Sequence, residues 1–271
     1  MRAIVGAMAQ YDRVLITGAS SGIGAALALE LAAPGVTLLL SGRDAGRLAA
    51  TEAACRTRGA TVQAAVMDVR DGAAMAAWIG ACGTLDLVVA NAGISAGAGE
   101  KAPETAEQTR AIFATNLDGV LNTVLPAIDK MRAQPVGAEG WRGRIVVIAS
   151  IAAFVAGAAA PAYCASKAAA DTWTVATAVA LRRERVAITS VCPGYIRTAM
   201  TARNRFPMPG LMDADRAARI ILRGVAAARV RVVFPWYVGA AARIGALVPP
   251  RLVGAFMKRL PAKAPMAAAE G

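Results

Sequence analysis

Between Ser150 and Lys167 the chain places a phenol and an ammonium, Tyr163 and Lys167, four residues apart, with Ser150 closing the apolar run Arg144 to Ala149. On a helix that spacing puts both side chains on one face. A phenol with a reference pKa near ~10 is a poor proton carrier at neutral pH, but an ammonium one turn away favours the phenolate and brings it toward working range. A tyrosine so placed can trade a proton with a substrate oxygen. Taken alone, the spacing reads more simply as a packed ring beside a solvated lysine, so the elements around it decide the reading.

Composition narrows the chemistry. The 271 residues contain no histidine, so the commonest general base and metal ligand is missing, and Tyr, Lys, Ser or a bound cofactor must carry any reaction; no metal site is expected. With 56% hydrophobic and 18% charged residues, and glycine and proline scattered, the chain reads as one α/β domain over 1–271 without a linker. The net charge of +12 suits nucleic acid, an anionic membrane or a phosphate-bearing ligand. No compact Lys/Arg run is interleaved with aromatics, which counts against nucleic acid. Cys55, Cys82, Cys164 and Cys192 lack zinc or disulfide spacing and read as reduced thiols of a cytoplasmic protein. Cys164, next to Tyr163, reads as a packing residue pointing away from the tyrosine face. Met1 to Gln10 is too short for a signal or spanning segment.

The elements that must position the pair follow in order. Arg13 to Thr17 is a β-rich run that meets T-G-A-S-S-G-I-G, Thr17 to Gly24, before an Ala/Leu-rich helix. Gly18, Gly22 and Gly24 let the backbone turn tightly and approach a ligand. Ser20, Ser21 and Ile23 stand where a helix N-terminus would meet phosphate. The second strand, Val36 to Leu40, ends in Ser41-Gly42-Arg43-Asp44. An acid at that tip would bind a ribose 2′-OH and an arginine would pair with a 2′-phosphate, so Arg43 favours NADP(H) over NAD(H). Asp44 is either a helix N-cap or a ribose ligand. A third strand, Thr61 to Met67, delivers Asp68 and Val69 to the edge and face of an adenine. A fourth, Leu85 to Ala90, ends in Asn91-Ala92-Gly93, small residues that leave room for a cofactor.

A long helix is expected from Glu104 to Met131, with Asn116 carried inward; a buried mid-helix Asn either binds backbone locally or serves a site. The fifth strand runs from Arg144 to Ala149, the Tyr163 helix continues to Arg182, and the sixth strand is Val186 to Cys192. Pro193-Gly194 then turns Tyr195, Ile196, Arg197 and Thr198 across the crevice, where Thr198 meets a carboxamide or phosphate. Residues 199–212 read as an irregular substrate lid, Asp213 to Ala228 as a helix, and Val230 to Phe234 as a seventh strand. Residues 236–271 form an apolar, basic extension that includes Trp236, Tyr237, Ile244, Leu247, Arg243 and Arg251. It suits either a cover for the substrate pocket or a subunit contact, or else a peripheral membrane contact.

Taken together, T-G-x-x-x-G-x-G, N-A-G, the helical Asn116, Ser150, Y-x-x-x-K and P-G, in this order over residues 12–235, resemble the short-chain dehydrogenase/reductase family. The resemblance implies a Rossmann-like doubly wound α/β sandwich with a seven-stranded parallel sheet that binds a nicotinamide dinucleotide. By position, Ser150, Tyr163 and Lys167 match the family's catalytic serine, tyrosine and lysine, and Asn116 its fourth member. Thr17, Gly18, Gly22, Ile23 and Gly24 match its pyrophosphate turn, Asp68 and Val69 its adenine contacts, and Asn91 its strand-end motif. Pro193, Gly194 and Thr198 match its nicotinamide-side loop, and Arg43 the basic residue of members that prefer NADPH. The implied roles are substrate orientation by Ser150, proton exchange by Tyr163, and ribose holding with a lowered Tyr163 pKa by Lys167. Asn116 would keep a water chain. The implied substrate is a ketone or secondary alcohol, lipophilic given the extension, and the implied assembly is a homo-oligomer. A non-catalytic dinucleotide-binding scaffold is the alternative, and it has no need of the Ser150, Tyr163, Lys167 set.

Overall fold

The computed structural model describes residues 11–97, 104–202, 204 and 206–247. Met1 to Gln10, lid residues 203 and 205, and the part of the C-terminal extension from 248 onward, Arg251 included, lie outside the described residues.

The first half alternates strand and helix: β1 Arg13–Thr17, α1 Gly22–Leu31, β2 Thr37–Gly42, α2 Ala45–Arg56, β3 Thr61–Val66, α3 Gly72–Ala81 and β4 Leu87–Ala90. Next come α4 Ala106–Phe113, a π-helical turn Ala114–Asp118 and α5 Gly119–Ala133, then β5 Gly143–Ile148, a 3-10 turn Ile151–Phe154 and α6 Pro161–Arg183. The chain ends with β6 Val186–Pro193, β7 Ile196–Arg197, α7 Ala199–Ala202, β8 Met212–Asp213, α8 Ala214–Ala226, β9 Arg231–Phe234 and α9 Trp236–Gly245.

Seven strands form one sheet in the order β3-β2-β1-β4-β5-β6-β9, and every neighbouring pair is parallel. Strand alternation divides the core. Val14 and Ile16 of β1 join Leu38, Leu40, Leu27 and Ile221 on one face, while Leu15 joins Leu39, Val88, Met75, Val124 and Ile145 on the other. Burying each such Leu or Ile contributes about 1.5–3 kcal/mol, and both helical layers depend on it. The strand order reverses between β1 and β4, so the helices leaving those strands depart to opposite faces and a crevice opens at the strands' C-terminal ends.

Two local departures from the sequence reading affect the site. The long helix runs from Ala106 to Ala133, but it widens into the π turn around Asn116. The segment 199–212, expected as an irregular lid, is more regular than that. It opens with α7 and closes with β8, which pairs with β7 through Ile196 opposite Met212 and Arg197 opposite Asp213.

Candidate active site

Tyr163 is the third residue of α6, a helix started by Pro161, whose missing N–H costs nothing at that position. Ser150 follows β5 directly. Its Oγ accepts the Ala152 N–H at 3.1 Å, which fixes the 3-10 turn, and it hydrogen-bonds the Tyr163 hydroxyl. One helical turn on, the buried Lys167 donates from Nζ to the Ile148 carbonyl at 2.7 Å. Ser150, Tyr163 and Lys167 therefore meet at the C-terminal end of β5.

The electrostatics differ from the expectation at one point. Burial pushes the Tyr163 phenol up, and the Ser150 hydrogen bond pulls it partly back. Lys167 stands one helical turn from that phenol on α6. Its ammonium is committed to Ile148, and burial lowers its own pKa to about 8 while the nearby Cys192 acts in the opposite direction.

Asn116 is fully buried and its carboxamide is occupied: Oδ1 accepts the Ile94 N–H at 2.8 Å, and Nδ2 donates to the Ile94 carbonyl at 3.0 Å and to Ser166 Oγ at 3.1 Å. The side chain thus clamps the segment after β4 to α6. A Cβ on Gly93 would stand 3.2 Å from Asn116 Oδ1 and 3.5 Å from Lys167 Nζ, so these three positions converge.

The glycine turn also owes its composition to the chain itself. Gly18 has φ +65°, and a Cβ there would lie 2.8 Å from Ala92 Cα; one on Gly24 would lie 2.4 Å from the Gly18 carbonyl oxygen. Gly18 and Gly24 therefore make room for the chain itself as it turns, and Gly18 also lines the cleft. Asn91 fills that space, with Nδ2 donating to the Thr17 and Gly18 carbonyls at 3.0 Å each. Thr17 Oγ1 accepts the N–H groups of Asn91 and Ala92. Thr17 and Asn91 stitch the turn to β4.

What a phosphate needs lies beside this stitch. Ser21 makes no capping bond and the first turn of α1 carries no acid, whereas α2 and α3 are capped by Asp44 and Asp71. Ser20, Ser21, Gly22 and Ile23 line a cleft of about 980 Å³ that continues to Tyr163 and beyond. An open helix N-terminus facing such a cleft fits a pyrophosphate.

At the far end, Asp44 accepts Arg47 N–H at 2.9 Å and pairs with Arg47 Nε at 2.8 Å, which settles it as the cap of α2. Arg43 is well exposed and lies 3.8 Å from Asp68. The Asp68 carboxylate is held by Arg70 at 2.6 and 2.9 Å, which keeps it below the usual carboxylate range, and it lines the cleft. Val69 packs beneath, against Gly119. Ser41 Oγ at the tip of β2 and Thr115 Oγ1 in the π turn are buried beside the cleft without hydrogen-bond partners. Uncommitted polar atoms at a crevice of this size fit a dinucleotide better than an empty cleft.

Toward the other end, Gly194 N–H bonds the Phe234 carbonyl at 2.7 Å and sets the Pro193-Gly194 turn against β9. Ile196 is buried, and Thr198 closes on the glycine turn, its Cγ2 lying 3.0 Å from where a Gly22 Cβ would sit. Cys164 does not point away: it lines the cleft, with Sγ 2.9 Å from a Cβ built on Gly157. The wall wraps more than one face of α6. Tyr195, Phe206 and the α9 residues Val238, Ala241 and Ala242 also line it. These the sequence reading did not single out, although Tyr195 stands directly after the Pro-Gly turn and the α9 spacing is helical.

Comparison with known proteins agrees with this geometry. Residues 12–207 match the family model described as short chain dehydrogenase. An uncharacterized oxidoreductase of Myxococcus xanthus is 35% identical over 92% of this chain and 98% of its own. A short-chain dehydrogenase from Sphingobium yanoikuyae in complex with NADPH superposes with a TM-score of 0.75 at 26% identity, covering 96% of this chain and 98% of that one. A short-chain dehydrogenase/reductase from Burkholderia phymatum in complex with NAD gives 0.75 at 25% identity, covering 95% and 98%.

Proposed function

Since the chain belongs to the short-chain dehydrogenase family, and is an oxidoreductase on that ground, we propose that it interconverts a ketone and a secondary alcohol with NADP(H), using Tyr163 as the proton carrier. The observation that carries this is the hydroxyl pair of Ser150 and Tyr163 in the cleft, with the Lys167 ammonium beneath. A bound nicotinamide supplies or accepts the hydride. Ser150 holds the substrate oxygen, and Tyr163, kept protonated at neutral pH by burial, passes it a proton during reduction. Lys167 holds the nicotinamide ribose in this reading, which its burial at the cleft supports, and Asn116 fixes α6 against the segment after β4. Tyr163→Phe removes only the acid. It should lower kcat by about a thousandfold or more while leaving NADPH affinity unchanged, and turnover that survives it overturns the mechanism.

NADP(H) over NAD(H) rests on Arg43, exposed at the β2 tip, and on Asp44 being occupied as a cap. Solved relatives hold either cofactor, so affinities for both decide it. A lipophilic substrate is supported by the apolar α9 face on the cleft. Trp236, Tyr237 and Ile244 on α9 and Leu247 just after it are exposed, which supports a peripheral membrane contact; absence of binding to anionic vesicles at low salt would sink that part. Exposed Leu125 on α5 and Val179 on α6 support a homo-oligomer, which light scattering would reveal, and four free cysteines support a cytoplasmic setting, open to fractionation.

A further inference from the structure

Tyr195 brings a second phenol into the cleft. Both tyrosines line the same cleft, and ionising Tyr195 would raise the Tyr163 pKa further, so the two side chains belong to the same end of the site. Its position is fixed twice: the ring stands edge-on to Phe206 at 5.9 Å, and its carbonyl accepts the Met212 N–H at 3.1 Å, tying it to the base of the lid.

Of the other polar side chains on that side, Thr201 is already occupied. Thr201 Oγ1 donates to the Ile196 carbonyl at 2.6 Å and accepts the Thr198 N–H at 3.0 Å. Asn204 directs its amide N–H toward Met208 Sδ, while its buried oxygen, an acceptor and not a donor, has no hydrogen-bond partner among the described residues. Among the described residues nothing hydrogen-bonds the Tyr195 hydroxyl, and burial keeps it protonated and so a donor. Apolar side chains, Ile151, Val155, Phe206, Pro209 and Val238, line the same cleft. A fixed, uncommitted donor in such surroundings is satisfied only by a ligand, and it penalises a ligand that offers it no acceptor.

Resting on the ketone and alcohol reading above, we infer that Tyr195 is a specificity-determining residue that donates a hydrogen bond to a second oxygen of the substrate. The preferred substrates are therefore ketones with a neighbouring carbonyl, ester or hydroxyl oxygen, and the corresponding alcohols. The reacting carbonyl takes its proton from Tyr163, and the second oxygen is held by Tyr195 without changing its bonds.

The test compares ethyl acetoacetate with 2-heptanone, which have chains of equal length and differ in the ester oxygens, both with NADPH. Tyr195→Phe should lower kcat/KM about tenfold for the ketoester and leave 2-heptanone within about twofold, the size of one hydrogen bond lost on one substrate alone. Equal losses on both substrates, or no loss on either, overturn the inference and leave the ketone reductase reading standing. An unchanged NADPH affinity and melting temperature in the variant assign any loss to substrate recognition, and a loss traced instead to poor folding is checked by Tyr195→Trp, which keeps a ring on Phe206 and moves the donor. Full retention of the ketoester preference in the Tyr195→Trp variant also overturns it. A wild-type protein that reduces neither ketone overturns both readings together.

Discussion

The charge state of Lys167 sets the working range of the site. Burial brings its pKa from 10.5 to about 8, so the ammonium is present below that pH and lost above it, while Tyr163 is moved the other way and remains an acid. Carbonyl reduction by the proposed mechanism needs both the acid and the cation. The kcat/KM for reduction should therefore be flat from about pH 6 to 7.5 and then fall toward tenfold per unit above about 8. A profile that stays flat to pH 9.5 contradicts this placement of the lysine. The types and spacing of Ser150, Tyr163 and Lys167 were readable from the chain. Their electrostatics were not, because desolvation depends on what covers a group, and here β5, β6 and the segment after β4 do so. The same limit hid Cys164, whose neighbour in sequence is one step around the helix but whose neighbours in space include Gly157.

Among the elements, α6 bears the most. Its upper half presents Tyr163 and Lys167, and one turn later the buried Asp171 accepts Ser190 Oγ at 2.6 Å and both Nε and Nη2 of Arg231 at 2.9 and 2.7 Å. Arg231 in turn lies over the Phe154 ring, in the turn that begins at Ser150. One ion pair thus joins α6, β6, β9 and the serine segment. Asp171→Ala should cost about 3 kcal/mol in urea unfolding, the lower end for a broken buried pair because Arg231 is 32% exposed. A loss under about 0.5 kcal/mol would show the pair to be ornamental. No periodicity announces such a network: Asp171 and Arg231 are sixty residues apart and each looks like an ordinary helix or strand charge. The sheet itself was legible, since strands covered on both faces, such as Val14-Leu15-Ile16 and Leu38-Leu39-Leu40, read as unbroken apolar runs. The π turn at Asn116 was not, because one extra residue in a turn leaves the composition of the helix unchanged.

Over the whole molecule, the net charge of +12 and the cofactor site act on each other. Arg43 and Arg47 at the ends of β2 and α2 are both 57% exposed, and Arg70 beyond β3 is 48% exposed, so the adenosine end of the cleft carries three guanidinium groups against Asp44 and Asp68. A 2′-phosphate would bring about two more negative charges to that end. Exposed charges are screened within about 10 Å at 0.1 M salt, so an NADPH advantage that rests on them must shrink as salt rises, whereas contacts common to NADPH and NADH at the turn of α1 must not. Because a ligand stabilises the folded chain in proportion to RT ln(1 + [L]/Kd), about 2.7 kcal/mol at a hundredfold excess over Kd, melting temperature reports both affinities on the intact protein. NADPH should raise the melting temperature more than NADH at about 20 mM salt, with the gap closing several-fold near 0.5 M, and Arg43→Glu should abolish or invert it at low salt. Equal shifts by the two cofactors at low salt, or a gap unaltered by salt, would mean that the surplus of positive charge serves a partner other than the dinucleotide.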